Sequence, residues 1–317
     1  MVRDKVLIVS SSDDEHSNVI SQWLRKENLA DPVLFDFHDF PLSAQMTYHN
    51  EHGSSLVIPG FGTLKEEQIA GVWWRRPQKF SFEKSIVDPK VQRFCEVNCQ
   101  HAIQGFFEIL GDRVIDPPFR ILAADRKLFQ LHIAQRCDLK VPSTCATNDP
   151  NVARDFIDSQ SEGTIYKIFR ETTNFVTGTT LLKPTELDNL HLLRHSPVIF
   201  QQFIEPGFDI RITIVGKDIF SAKLTSSKPD GRVDIRKDAI CEAEPYELPQ
   251  DIEQKIRRLI SIVGLRYAAI DMRTNKKGEH YFLEINPVAQ YLFVEVITNQ
   301  PITRTLARLL ADPVRSK

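Results

Sequence analysis

Long apolar runs are missing from this chain of 317 residues. No stretch reaches the roughly 18 apolar residues of a membrane span. The opening Lys5-Val-Leu-Ile-Val is too short for the apolar core of a secretory signal and is followed at once by Ser-Ser-Ser-Asp-Asp-Glu. An excess of either charge is lacking too: 40 Lys and Arg stand against 42 Asp and Glu, a formal net charge of −2. That balance supplies no overall attraction to nucleic acid or to an anionic bilayer, so neither is an expected partner. Cysteine is scarce and odd in number, with five residues at 95, 99, 137, 145 and 241 and no Cys-x-x-Cys pair. A scattered odd set fits a reducing compartment rather than a disulfide framework, and the expected location is cytoplasmic. Repeats and low-complexity tracts are absent. A phosphate-binding glycine loop is absent as well: no Gly-x-x-x-x-Gly-Lys-Ser/Thr occurs, and Gly60-Phe61-Gly62 lacks the third glycine of Gly-x-Gly-x-x-Gly and reads as a hairpin turn.

What is present is the composition of a soluble globular protein, 42% hydrophobic and 26% charged, over a length that supports two or three lobes. Lys5–Ser10 reads as a strand, Val19, Ile20, Trp23 and Leu24 as one face of a helix, and Val33–Phe40 as the next strand. This opening implies an α/β lobe with a partly parallel sheet, and residues 54–77 can form a hairpin within it. Residues 91–110 are helical by period, and Asp116-Pro117-Pro118 interrupts any helix and marks a boundary. Asp125 can cap a helix reaching about Leu139, and Asp149-Pro150 opens another. Strands are expected at 164–169, 197–204, 209–216 and 218–224, then a helix from Asp251 to Leu265. Two closing strands, 266–273 and 280–286, flank the turn Thr274-Asn-Lys-Lys-Gly, and the fold class is a mixture of α+β and α/β.

The last hairpin carries the chemistry. In Tyr281-Phe-Leu-Glu-Ile-Asn-Pro, Glu284 and Asn286 sit two apart on a strand and share a face. An antiparallel partner at 268–273 brings Asp271 opposite Glu284. An unpaired carboxylate buried there would cost several kcal/mol, so something charged should meet it. Asp271, Glu284 and Asn286 offer the hard oxygen donors that Mg²⁺ takes. A strand pair with its polar residues facing solvent is the other reading. A magnesium site with so few protein ligands completes its shell with nucleotide phosphates. Lys127 in the first turn of a helix and Lys167 inside the apolar Thr164-Ile-Tyr-Lys-Ile-Phe are the candidate phosphate contacts. The alternatives are a solvated helix residue for Lys127 and an edge-strand lysine for Lys167.

In chain order, Lys127, Lys167, Phe200-Gln-Gln-Phe-Ile-Glu, Asp209-Ile-Arg-Ile-Thr-Ile-Val-Gly, Asp271 and Glu284-Ile-Asn resemble an ATP-grasp fold, in which two α+β lobes clamp ATP. Val72-Trp-Trp-Arg-Arg-Pro, Asp13-Asp-Glu-His-Ser-Asn-Val-Ile, residues 213–223, Val233-Asp-Ile-Arg-Lys and Phe282-Leu-Glu-Ile-Asn-Pro-Val further resemble the graspetide ligases, the microviridin-type peptide macrocyclases. The likeness covers nearly the whole chain. It implies an N-terminal α/β pre-ATP-grasp domain at residues 1–118, a central ATP-grasp lobe at 119–199 and a C-terminal lobe with the metal site at 200–317. It implies ATP and Mg²⁺ as cofactors, with Asp271, Glu284 and Asn286 as metal ligands and Lys127 and Lys167 at the phosphates. Gln202, Phe203 and Ile204 would form the adenine hinge, and Asp209 would accept from the ribose hydroxyls. Arg211 and Arg236 are the implied catalytic groups, stabilising the transferred phosphoryl group or the tetrahedral oxyanion.

The implied reaction is ATP-dependent activation of acidic side chains of a ribosomal precursor peptide, leader plus core, and their joining to Ser/Thr hydroxyls or Lys amines. A ligase for a small molecule or a protein tail is a second reading, and a nucleotide-binding sensor without turnover a third. Relatives of this type are often dimers, so a homodimer is among the expected states. Three departures from the pattern stand out: Gln202 where many relatives have Glu, Ala289 where glycine is common, and a segment 172–180 that makes a poor glycine-rich loop.

Other signals weigh less. His191 and His195 have the spacing of helical zinc ligands but lack both the Glu that follows the first His in the protease motif and a third ligand, and read as a solvent-facing pair. Cys95 and Cys99 read as packing. Trp73-Trp74-Arg75-Arg76 fits either an acidic peptide or one core Trp beside two ion-paired arginines.

Overall fold

The computed structural model describes residues 4–170, 178–226, 228, 231, 233–235 and 241–314. Its first strand, β1 (Lys5–Val9), carries Val6, Leu7, Ile8 and Val9 with no exposed surface, the unbroken apolar run of a strand covered on both faces. Helix α1 (Glu15–Lys26) crosses to β2 (Asp31–Phe35), which pairs with β1 in parallel. An antiparallel meander follows, β3 (Gln45–His49), β4 (Gly53–Ile58) and β5 (Gly62–Lys65). The hairpin expected within 54–77 is the β4–β5 pair, and the glycines at 60 and 62 lie at its turn with φ of 77° and 96°, a region that favours glycine. β6 (Ile69–Trp74) then returns beside β1, and after α2 (Pro89–Leu110) the short β7 (Val114–Ile115) completes a parallel sheet of order β2-β1-β6-β7.

Helix α3 (Pro118–Ala124) starts at the second proline of the Asp-Pro-Pro boundary, because the first helical position needs no N–H. The helix expected from Asp125 is therefore two. The Asp125 N–H still donates to Ile121 O and closes α3, while α4 (Lys127–Arg136) begins two residues later without a side-chain cap. Beyond it lie β8 (Thr144–Thr147), α5 (Pro150–Asp158), β9 (Thr164–Lys167), β10 (Thr180–Leu181) and β11 (Val198–Gln202), an antiparallel sheet of order β10-β9-β11-β8. Asp149 caps α5, its side chain accepting from the N–H groups of Asn151 and Val152.

The largest described sheet is built from β12 (Pro206–Val215), β13 (Asp218–Thr225), β14 (Glu242–Pro245), β15 (Tyr267–Asn275) and β16 (His280–Asn286), in the order β14-β13-β12-β15-β16. Alternate residues of its strands divide between two cores. Ile210, Ile212, Ile214, Ile270 and Met272 share one core with Ile252, Ile256, Leu259, Ile260 and Val263 of α6 (Gln250–Val263). Val215, Tyr267 and Ala269 belong to the other, with α7 (Leu292–Thr298) and α8 (Ile302–Ala311).

That second core also contains Val6, Ile8, Ile20 and Trp73, so the C-terminal helices are packed on the N-terminal sheet. The approach is closest at Gly71 of β6, where a Cβ would lie 2.0 Å from the Leu310 carbonyl oxygen of α8. Asp116 makes a second joint: fully buried, it accepts from the N–H groups of Arg266 and Tyr267 at the start of β15. Gly71→Ala is expected to destabilise the whole molecule by about 1–3 kcal/mol or more, as overpacking against fixed backbone does. Urea unfolding would show a lowered midpoint, whereas an unchanged midpoint would mean that α8 does not press on β6.

Candidate active site

Two neighbouring strands carry the same triplet. Asp209-Ile210-Arg211 on β12 and Asp271-Met272-Arg273 on β15 run antiparallel, and the register sets Asp209 opposite Arg273 and Arg211 opposite Asp271. Both pairs close. Arg273 Nε and NH2 donate to the Asp209 oxygens at 2.6 and 2.8 Å, and Arg211 NH1 donates to the Asp271 oxygens at 2.7 and 2.9 Å. These side chains occupy the face turned away from α6. Glu284 of β16 lies opposite Asp271, as the hairpin reading expected, with a register shift just beyond it between Asp271 and Met272.

Asn286 comes within hydrogen-bond reach of both Asp271 and Glu284. Asn286 Nδ2 donates to Asp271 Oδ2 at 2.6 Å and to Glu284 Oε1 at 3.4 Å. The cation expected to meet Glu284 is Lys127, whose Nζ lies 2.9 Å from Glu284 Oε2. Its helix is fixed by Gln130, which takes the place of a neighbouring strand for Ile285: Gln130 Nε2 donates to Ile285 O at 2.8 Å and Oε1 accepts from Ile285 N at 2.9 Å. Two adjacent carboxylates would repel and resist ionising together; here Arg211 and Lys127 neutralise one each.

The triad opens onto a cleft of about 320 Å³. Lys167, Gln202, Phe203, Ile204, Asp209, Arg211, Asp271, Glu284 and Asn286 all line it. Lys127 does not, and reaches the site only through Glu284. Arg236 lies outside the described residues, as do residues 172–177 of the segment 172–180. Lys167 is buried on a strand between β10 and β11, which excludes the edge-lysine reading, and its Nζ donates to Gln201 Oε1 at 3.2 Å. In the hinge, the N–H groups of Gln202 and Phe203 are already bonded to Ser143 O and Gly163 O. His191 and His195 are exposed on a 3₁₀ stretch, Pro184–His195.

A buried network behind the triad was not foreseen. Arg75 has no exposed surface; its NH1 donates to Val288 O at 3.0 Å and Ala289 O at 2.8 Å, and its Nε to Asp14 Oδ2 at 3.3 Å. Asp14 also accepts from Ser10 and Ser17, at 2.9 and 2.7 Å. Tyr267 OH donates to Ala289 O at 2.9 Å, and Arg211 NH2 to Gln290 O at 3.0 Å. His16 Nε2 accepts from Tyr291 N at 3.1 Å. The segment that follows Asn286 is thus held from both sides. Asp14, His16, Ser17 and Arg75 belong to two stretches prominent in the sequence, Asp13-Asp-Glu-His-Ser and Trp73-Trp-Arg-Arg, and the signal for Arg273 is the repeated Asp-x-Arg.

The fold and the site together define the ATP-grasp class, two antiparallel sheets facing a cleft with carboxylates on the C-terminal sheet and a lysine on the central one, joined to an N-terminal parallel-sheet domain. Residues 5–121 match the family model described as the MvdD pre-ATP grasp domain. Over 98% of its length it is similar to macrocyclase MdnC from Microcystis aeruginosa MRC, solved with the precursor peptide MdnA, with a TM-score of 0.87, 27% identity and 99% of that chain covered. It is similar over 98% of its length to a Chryseobacterium gregarium RiPP-associated ATP-grasp ligase solved with ADP and a leader and core peptide, with a TM-score of 0.86, 28% identity and 97% of that chain covered. A probable alpha-L-glutamate ligase of Shewanella halifaxensis is 25% identical over 191 residues, 58% of this chain and 41% of that longer protein.

Burial, and the Arg75 charge after it, push the His16 imidazole from its ordinary 6.5 down to about 4. The lowered value agrees with Nε2 acting as an acceptor, which a protonated ring cannot do. A folded value below the unfolded one means that this contribution to stability is complete above pH 6.5 and is lost as pH falls through 4. The part attributable to His16 is on the order of 3 kcal/mol. His16→Gln should flatten unfolding free energy between those pH values relative to wild type, and parallel wild-type and variant curves would refute the assignment.

Proposed function

We propose that the protein is an ATP-dependent ligase that activates acidic side chains of a ribosomal precursor peptide as acyl phosphates and joins them to Ser/Thr hydroxyls or Lys amines. The observation that carries this reading is the convergence of Asp271, Glu284 and Asn286 on a cleft whose opposite wall holds Lys167. The domain limits proposed with it are residues 1–118, 119–199 and 200–317.

Two carboxylates and an amide, without thiol or imidazole, fit Mg²⁺ rather than a softer ion. Asp271, Glu284 and Asn286 would hold it, and when bound it supplies neutralisation of the phosphate oxygens. The amide of Asn286 now presents its NH₂ to both carboxylates and would turn its oxygen inward to serve. Lys167 meets the phosphates from the central lobe, and Lys127 positions Glu284 while contributing positive charge at the rim. Gln202, Phe203 and Ile204 hold the adenine, by carbonyl and side-chain groups in the first two positions, since those N–H groups are taken. Asp209, fixed by Arg273, accepts from the ribose.

A carboxylate is a poor acyl donor because oxide would have to leave. One of its oxygens attacks the γ-phosphorus, the bond to the β-phosphate oxygen breaks, and ADP departs. The hydroxyl or amine then attacks the acyl carbon, loses its proton, and phosphate leaves. Arg211, and Arg236 as a second candidate, stabilise charge on the phosphoryl group and the tetrahedral oxyanion. The nucleophile comes with the substrate, so no catalytic Ser, Cys or His is needed.

Incubation with ATP, Mg²⁺ and a panel of synthetic peptides containing Glu or Asp together with Ser, Thr or Lys should yield products lighter by about 18 Da per bond, the mass of one water, with one ADP for each. ADP without mass loss, or neither from any peptide, would refute the reading. Asp271→Asn should leave the protein folded but lower its melting temperature, because one oxygen replaces the two that accept from Arg211 and Asn286, and should reduce turnover by about 100-fold or more. Wild-type turnover in that variant would overturn the metal assignment.

A further inference from the structure

Four cationic side chains are among the described residues lining the cleft: Arg76, Lys167, Arg211 and Arg273. Arg273 is held by Asp209, Arg211 by Asp271, and Lys167 is buried against Gln201. Arg76 differs from all three: it is exposed, and its side chain has no ion pair or hydrogen bond among the described residues. It is also the one described lining residue contributed by the N-terminal sheet and its loops, the others lying at Pro142 and beyond.

Its position is set by unusually firm surroundings. The N–H groups of Arg75 and Arg76 both donate to Val9 O at 3.1 Å, tying this piece of backbone to the end of β1. Arg75 turns inward, fully buried, and binds the carbonyls of Val288 and Ala289. Arg76 is left on the cleft side, where Val288, Ala289 and Gln290 line the same wall as Asn286. The carboxylates nearest the reaction are neutralised within the protein by Arg211 and Lys127. An arginine fixed by its neighbour beside that balanced group offers a planar pair of donors to an anion that arrives from outside, and a carboxylate matches this geometry in bidentate fashion.

We propose that Arg76 binds the substrate carboxylate, a Glu or Asp side chain of the peptide, and presents it for activation. The proposal rests on the ligase reading and deepens it by naming the residue that selects an acidic group. It also gives the two adjacent arginines separate duties, Arg75 positioning the wall and Arg76 touching the substrate.

The test uses the full-length protein and the synthetic peptide that yields most ADP in the panel above. Arg76→Gln should raise KM for that peptide about 10-fold or more. KM for ATP, ADP affinity by calorimetry and the melting temperature should stay within error, and Arg76→Lys should recover part of the loss. An unchanged peptide KM in Arg76→Gln would overturn the inference while leaving the ligase reading intact. Equal rises in KM for peptide and ATP would also overturn it, by showing damage to the cleft as a whole. Absence of ADP from wild type with every peptide would instead remove the ligase reading, and the inference with it.

Discussion

Between β12 and β15 an arginine and a carboxylate face each other twice, Arg211 with Asp271 and Arg273 with Asp209. Ion pairs this little exposed are costly to break, since removal of one partner strands the other at a cost of several kcal/mol. The remainder of the site is arranged around that condition. Lys127 does for Glu284 what Arg211 does for Asp271, and Gln130 fixes the helix from which Lys127 reaches. On the function proposed above, a divalent ion held by the two carboxylates would take over their neutralisation and free Arg211 for the anionic phosphoryl group.

The N-terminal domain belongs to the same arrangement. Arg75, fully buried between Asp14 and the carbonyls of Val288 and Ala289, fastens the segment after Asn286 to the first sheet. From the other side Arg211 holds Gln290 O, and Tyr267 holds Ala289 O. The hairpin that carries Asp271, Glu284 and Asn286, with the residues after it, is therefore framed by side chains from three regions of the chain, which is the support that a precisely aligned site requires.

Much of this was legible in the sequence, for identifiable reasons. The hairpin at 267–286 follows from alternation and a glycine turn: alternation puts Glu284 and Asn286 on one face, and the antiparallel register sets Asp271 opposite Glu284. The two-helix outcome around Asp125 was not legible, because Asp125 continues the hydrogen bonding of α3 before it could start anything new. Lys127 was expected at a phosphate; its contact with Glu284 depends on how α4 packs on β16, a tertiary fact with no local signature. The partnership of Arg75 with Val288 and Ala289, 213 and 214 positions away, is equally hidden. Arg273 could have been found, since two Asp-x-Arg triplets on adjacent antiparallel strands must place acid opposite base twice.

The contact between Gly71 and Leu310 bears on how the molecule is made. A nascent chain emerging from the ribosome can form the β1-α1-β2 unit early, but the surface of β6 and α1 that receives α8 stays open until residues 302–311 have been synthesised. The apolar flank of the first sheet is therefore completed only by residues made long after its own strands, which ties the folding of the first domain to distant parts of the chain.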